Sequence, residues 1–181
     1  ARTGPQDLKV FSVRSGALPE SALLSRYRES GAYTDCYFVD IDRVVSQADY
    51  IRAFYMTLPF RIERLILKWA ISKPSTDEEA NLLAEAKIDR FAAWYVEERR
   101  DDQVLLSDFR DRTRSWLMTA ASVDSTRLYF GSAVVPDVNV ETNERRRAKR
   151  FSLLLAFHKL YSRVLLSAAR RRLMWSAKRL V

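Results

Sequence analysis

Residues 91–135 read FAAWYVEERRDDQVLLSDFRDRTRSWLMTAASVDSTRLYFGSAVV, and the period of this stretch sets the fold. Four runs within it, 91–97, 104–109, 114–120 and 126–135, have the β-branched and aromatic composition and the length of strands. Only short polar separators, 98–102, 110–113 and 122–125, lie between them. Parallel neighbours need a crossover of a dozen or more residues, so connections this short dictate antiparallel hairpins and a four-stranded meander. Pro136 has no N–H for a further ladder bond and ends the last strand, and 137–149 is a polar linker into the final helix.

Upstream, Tyr37, Val39 and Ile41 alternate with Cys36, Phe38 and Asp40, which predicts a strand over 34–41. Ser46 followed by Asp49 resembles a capping box with the shorter acid, and Val45 with Tyr50 is placed for a hydrophobic staple, so a helix starts at Gln47. Its apolar face is Ala48, Ile51, Phe54, Tyr55 and Leu58. Pro59 kinks or ends it, after which Ile62, Leu65, Ile66 and Trp69 resume a helical stripe to about Ile71. Ser75 with Glu78, or Thr76 with Glu79, opens a further short helix to about Lys87. At the other end, residues 1–16 mix Gly, Pro, Arg and Ser without period and predict a loose N-terminal segment. Leu23, Leu24 and Tyr27 then suggest a short helix ending near Gly31.

The last element is a long helix from about Arg150 to Leu180, without Gly or Pro and rich in Leu, Ala and Arg. Leu153, Phe157, Leu160, Tyr161, Val164, Leu165 and Ala168 recur at three- and four-residue steps, and the face through Leu153, Phe157, Leu160 and Val164 is expected to meet the sheet. The expected architecture is a single α+β domain over 1–181, a two-layer arrangement of a curved antiparallel sheet packed on the long C-terminal helix.

Composition narrows the chemistry. A hydrophobic content of 48% with 12% aromatics is that of a folded domain. Cys36 is the single cysteine and His158 the single histidine, which removes an intramolecular disulfide and the usual zinc ligand sets and fits a reducing, cytoplasmic setting. Four glycines, Gly4, Gly16, Gly31 and Gly131, write neither a phosphate loop nor a dinucleotide fingerprint, and there is no Gly-x-Ser-x-Gly, so neither cofactor nor metal is expected. Apolar runs such as 153–157 are far shorter than the ~20 residues that cross a bilayer, which predicts a protein at most peripheral to a membrane.

The net charge of +8 is unevenly distributed, since residues 145–181 hold 12 Lys/Arg and no Asp/Glu. That asymmetry nominates Arg145, Arg146, Arg147, Lys149, Arg170, Arg171 and Arg172 as anion-binding residues for an anionic partner, either nucleic acid or an acidic membrane surface. The commoner origin of such a run is a solvated helix end whose cations complement the helix dipole. Nucleic acid is disfavoured, because an RNA-binding sheet places aromatic pairs beside basic residues and here the basic residues gather on a helix.

The order of elements from about Thr34 onward resembles the helix-grip fold of the START-like, polyketide cyclase and Bet v 1-like superfamily. Ala53-Phe54-Tyr55 and Phe157-His158-Lys159-Leu160 resemble a bacterial family of unknown function within it, as do Arg112-Thr113-Arg114-Ser115-Trp116 and Phe130-Gly131-Ser132-Ala133. The resemblance implies a small apolar or amphipathic ligand held between sheet and helix, with Trp94, Trp116, Phe157, His158 and Tyr161 as ligand-binding candidates. Such folds host lipid carriers and cyclases alike, so the resemblance does not choose an activity. A cyclase-like enzyme would use His158 with a carboxylate, but a lone histidine is more often structural, and Asp40, Asp42, Glu97 and Asp108 read as solvent-side acids at strand ends. Binding rather than catalysis is the expectation, and no catalytic residue is assigned.

Overall fold

The computed structural model describes residues 13–60, 76–135 and 160–175. In chain order these form β1 (Arg14–Ser15), α1 (Ser25–Glu29), β2 (Tyr33–Ile41), α2 (Gln47–Tyr55), α3 (Asp77–Ala84), β3 (Arg90–Phe91), β4 (Trp94–Arg100), β5 (Gln103–Asp108), β6 (Thr113–Ala121), β7 (Thr126–Val134) and a C-terminal helix α4 over 160–175. The strands make one seven-stranded sheet in the order β1-β2-β7-β6-β5-β4-β3, with every pairing antiparallel. The expected meander is β4 to β7, and β2 closes against its far edge.

Two short strands extend that expectation. The stretch 91–97 divides into β3 and β4 because the chain turns at Ala92, whose φ is +53°. Arg14 and Ser15, expected in a loose segment, instead pair with Phe38 and Tyr37. A bulge between Val96 and Glu98 shifts the register of β4 on β5 and adds to the local bend.

The helix starts follow their capping residues. The Ser46 hydroxyl accepts from the Asp49 N–H at 3.1 Å, and Val45 and Tyr50 are buried in one cluster, as a staple requires. At α3 Thr76 with Glu79 forms both arms of the capping box, and Ser75 lies outside the described residues. That helix ends at Ala84, short of Lys87, with Ala86 at a φ of +57°. Helix α2 stops at Tyr55, and the Thr57 hydroxyl accepts from Phe60 N at 3.4 Å, so Pro59 lies in the first turn of a new helical segment where its missing N–H costs nothing. Leu58, beyond that break, is exposed. The stripe expected over 62–71 lies outside the described residues.

Strand alternation assigns every side chain to one of two faces. On the inner face Tyr37 pairs with Phe130, and Phe130 with Leu117, under Ile51 and Phe54 of α2, Leu83 of α3 and Leu165, Leu166, Ala169 and Leu173 of α4. The Phe54 ring lies 4.9 Å from that of Phe130. On the outer face Cys36, Gly131, Trp116 and Leu105 form one row across four strands, covered by Leu18, Ala22, Leu23 and Leu24. The expected two layers thus gain a thin third one, because the apolar run before α1 has nowhere else to leave water. Its backbone is fixed by the buried Gln103, whose Oε1 accepts from Leu23 N at 2.9 Å and from Trp116 Nε1 at 3.0 Å while its Nε2 donates to Ser21 O at 3.1 Å. Gly131 makes the close approach possible. A Cβ there would stand 2.7 Å from the Asp35 carbonyl and 3.0 Å from both Leu24 and Trp116.

Helix α4 is rotated from expectation. Ser162, Leu165, Leu166, Ala169 and Leu173 are buried, whereas Leu160 is 64% and Val164 44% exposed. Tyr161 and Ala168 are half-buried at the boundary, and Leu153 and Phe157 lie outside the described residues. The helix carries apolar residues on two sides, so period alone could not choose between them. Three arginines fix the choice by reaching carbonyls: Arg170 Nε to Asp40 O at 3.1 Å, Arg172 Nη1 to Met56 O at 3.3 Å and Arg43 Nη1 to Leu173 O at 2.9 Å. Truncating Leu166 to Ala is expected to destabilise the protein by ~2–5 kcal/mol, and truncating Leu160 by less than ~0.5 kcal/mol. Equal denaturant midpoints for the two variants, at unchanged slope, would refute this orientation of the helix.

Candidate functional site

On β2 the two-residue step carries Tyr33, Asp35 and Tyr37 to the inner face. Where they meet the start of α4 they border a pocket of about 470 Å³. Ser15 at the end of β1 and Gly16 after it border one side, and Leu160 and Arg163 border it from α4. Cys36 also borders the pocket, although its side chain belongs to the outer cluster.

Asp35 is held by its neighbour in register, Ser132 on β7. Its Oδ1 accepts from the Ser132 N–H at 3.0 Å and from the Ser132 hydroxyl at 2.6 Å. Ser115 continues the row on β6, so Asp35, Ser132 and Ser115 form a line of short polar side chains across an otherwise apolar face. The next inward row, Tyr37, Phe130 and Leu117, is wholly hydrophobic or aromatic. The Arg163 guanidinium lies 5.6 Å from the centre of the Tyr37 ring, a cation–π approach.

The two phenols and the thiol here are shifted toward their neutral forms. Burial, reinforced by the nearby Asp35 carboxylate, pushes the Tyr37 phenol up to about 12 and the Cys36 thiol up to about 12. The Tyr33 phenol is raised by the same two causes in the same order. At neutral pH both phenols are neutral hydrogen-bonding groups and the thiol is no nucleophile. The pocket therefore combines aromatic walls, a carboxylate and a guanidinium, a set suited to holding an amphipathic molecule.

A second polar cluster lies on the outer face. The Tyr27 hydroxyl donates to Glu97 at 2.6 Å and accepts from Arg114 Nε at 2.6 Å. Arg114, nearly buried, also pairs with Glu97 at 2.6 Å and Asp111 at 2.6 Å. Asp40 is held below the usual carboxylate range chiefly by its hydrogen bond from Arg127, with Arg14 adding to it. Asp108 accepts from the backbone N–H groups of Arg112 and Thr113. These acids are committed to partners within the protein and serve structure. Among the described residues no group of three or more His, Cys, Asp or Glu side chains is arranged to hold a metal ion.

Of the ligand-binding candidates named from sequence, those described do not all share one face of the sheet. Trp94 packs against the inner core and Trp116 is fully buried on the opposite face of the sheet. Tyr161, on α4, packs on the inner cluster, while Phe157 and His158 lie outside the described residues. Of the anion-binding candidates, Arg170 and Arg172 are turned to backbone carbonyls and Arg171 donates to Ser167 Oγ at 3.2 Å. Arg145, Arg146, Arg147 and Lys149 lie outside the described residues. None of the residues lining the pocket was among the ligand-binding candidates named from sequence, Asp35 and Arg163 included. An acid at the two-residue step between two tyrosines on a core-facing strand face was the signal that Asp35 offered. Neither a protein-family model nor a curated protein sequence matches this chain.

A phenol raised in the folded state contributes stability that is complete below its unfolded value near ~10 and is lost as pH rises toward about 12. Tyr37→Phe is therefore expected to flatten the loss of stability in that alkaline window and to remove one late-ionising group from the ultraviolet tyrosinate titration. Identical alkaline unfolding curves for parent and variant would show that Tyr37 ionises without penalty.

Proposed function

We propose that the protein binds one small amphipathic molecule in the pocket between β2 and α4, within a helix-grip arrangement in which the antiparallel sheet wraps its C-terminal helix. One observation carries this reading: Asp35, braced by Ser132, lies between Tyr33 and Tyr37 and opposite Leu160 and Arg163 around a space of about 470 Å³. Small-molecule sites span roughly 300–1,000 Å³ and pair mostly apolar walls with a few fixed polar groups. The apolar body of the ligand would lie along the tyrosine rings and Leu160. Its polar end would meet Asp35 and Arg163, one accepting hydrogen bonds and the other donating them. Binding is favoured over catalysis because the thiol beside the pocket is held protonated and the phenols are held neutral.

Native mass spectrometry of freshly purified protein is expected to show one retained small molecule, and added ligand should raise the melting temperature by mass action. Leu160→Trp fills the pocket from an exposed position and should abolish both effects without lowering the melting temperature of the empty protein. Asp35→Asn should weaken binding by roughly tenfold, the value of a hydrogen bond to a charged group. A protein that retains nothing, and whose melting temperature no amphipathic compound raises, would refute the proposal.

A further inference from the structure

The side of α4 turned away from the core is not polar. Leu160, Val164 and Trp175 are 64%, 44% and 72% exposed, and they are three of the seven large apolar side chains exposed among the described residues. At the ~100° advance per residue of an α-helix these three fall within about 60° of arc, so they form a stripe rather than a scatter. Arg171 falls inside the same arc, and Arg163 flanks it; both are exposed. The buried Ser162, Leu165, Leu166, Ala169 and Leu173 occupy the opposite side. Helix α4 is therefore apolar on both faces, with Arg163 and Arg171 beside the outer one.

We propose that this outer face docks on an anionic lipid surface, with Val164 and Trp175 entering the headgroup region and Arg171 meeting lipid phosphates. Charge complementarity chooses the occupant: the 37 residues from 145 to 181 hold 12 Lys/Arg and no Asp/Glu, so nothing in this part of the chain repels a negative surface. The apolar stripe chooses lipid over nucleic acid, because a phosphate backbone offers no apolar layer to receive an exposed Trp and Val. Tryptophan suits the boundary between headgroup and acyl chain, and an arginine within the stripe can keep its charge at the phosphates while its stem lies along the apolar side chains. No helix of the described residues is long and apolar enough to cross a membrane, so the contact lies in the plane of the surface. Val164, Trp175 and Arg171 do not border the pocket, and the inference stands whether or not the pocket holds a ligand.

The test is flotation of the whole protein with equimolar phosphatidylglycerol–phosphatidylcholine vesicles and with phosphatidylcholine vesicles, at ~0.05 M and ~0.3 M salt, where screening differs strongly. Binding is expected to the acidic vesicles alone and to fall severalfold at the higher salt, with a blue shift of tryptophan emission that Trp175→Phe removes while most binding remains. Val164→Ser with Trp175→Ser should weaken partitioning by roughly tenfold or more, and Arg171→Glu by roughly tenfold. All three positions are exposed, and an unchanged circular dichroism spectrum and melting temperature would confirm that the variants fold. Equal partitioning to phosphatidylcholine, undiminished binding by the double serine variant, or binding to duplex DNA with none to either vesicle would overturn the proposal.

Discussion

Nine residues of β2 pair with nine of β7, from Tyr33 against Val134 to Ile41 against Thr126, and this ladder joins the N-terminal third of the described chain to the meander. Its register decides more than connectivity. Because strand side chains alternate, a slip of one residue would turn Tyr33, Asp35 and Tyr37 outward and send Cys36 and Phe38 into the helical core. Both faces are buried, so such a slip would place the bulky residues of each row where the other layer has no room. The pocket, the inner core and the outer layer all inherit their composition from this one pairing.

Covering both faces imposes a tight geometry at the centre of the sheet. The outer segment brings Leu24 close to the β7 backbone, and only a residue without a side chain at 131 allows Leu24, Trp116 and the Asp35 carbonyl to share that space. Trp116 cannot then be buried with its N–H unpaired, since an unmet donor inside a protein costs about 1–3 kcal/mol. Gln103 meets that donor and two backbone groups of the covering segment at once. The polar anchor and the apolar cover are mutually dependent: without Gln103 the segment would lack its backbone partners, and without the segment Trp116 would face water.

At the pocket, a polar row interrupts an otherwise apolar face. A row of aspartate and two serines occupies positions that larger apolar residues could fill, and burying polar groups is tolerated only with hydrogen bonds to satisfy them. Ser132 supplies two of these to Asp35 from a neighbouring strand, so the carboxylate is fixed by the sheet itself. A polar group mounted on a rigid ladder is thereby held in one geometry.

Secondary structure was legible in the chain because that information is local: alternation in 91–135 and 34–41, the caps at Ser46 and Thr76, and hairpin connections too short for anything but antiparallel neighbours. Contacts across space settled the rest. Which of two apolar stripes on α4 turned inward depended on the fit of a small Ser162 against the core and on carbonyls presented by distant segments to Arg170 and Arg172. Trp94 and Trp116 look alike as aromatic residues of one meander, yet the pairing register packs the first, half-buried, against the helical core and buries the second under a segment some ninety residues earlier. Asp35 became a candidate site residue only when β2, β7 and α4 met around it, for a side chain's role depends on what faces it across space, and a linear pattern does not encode that distance.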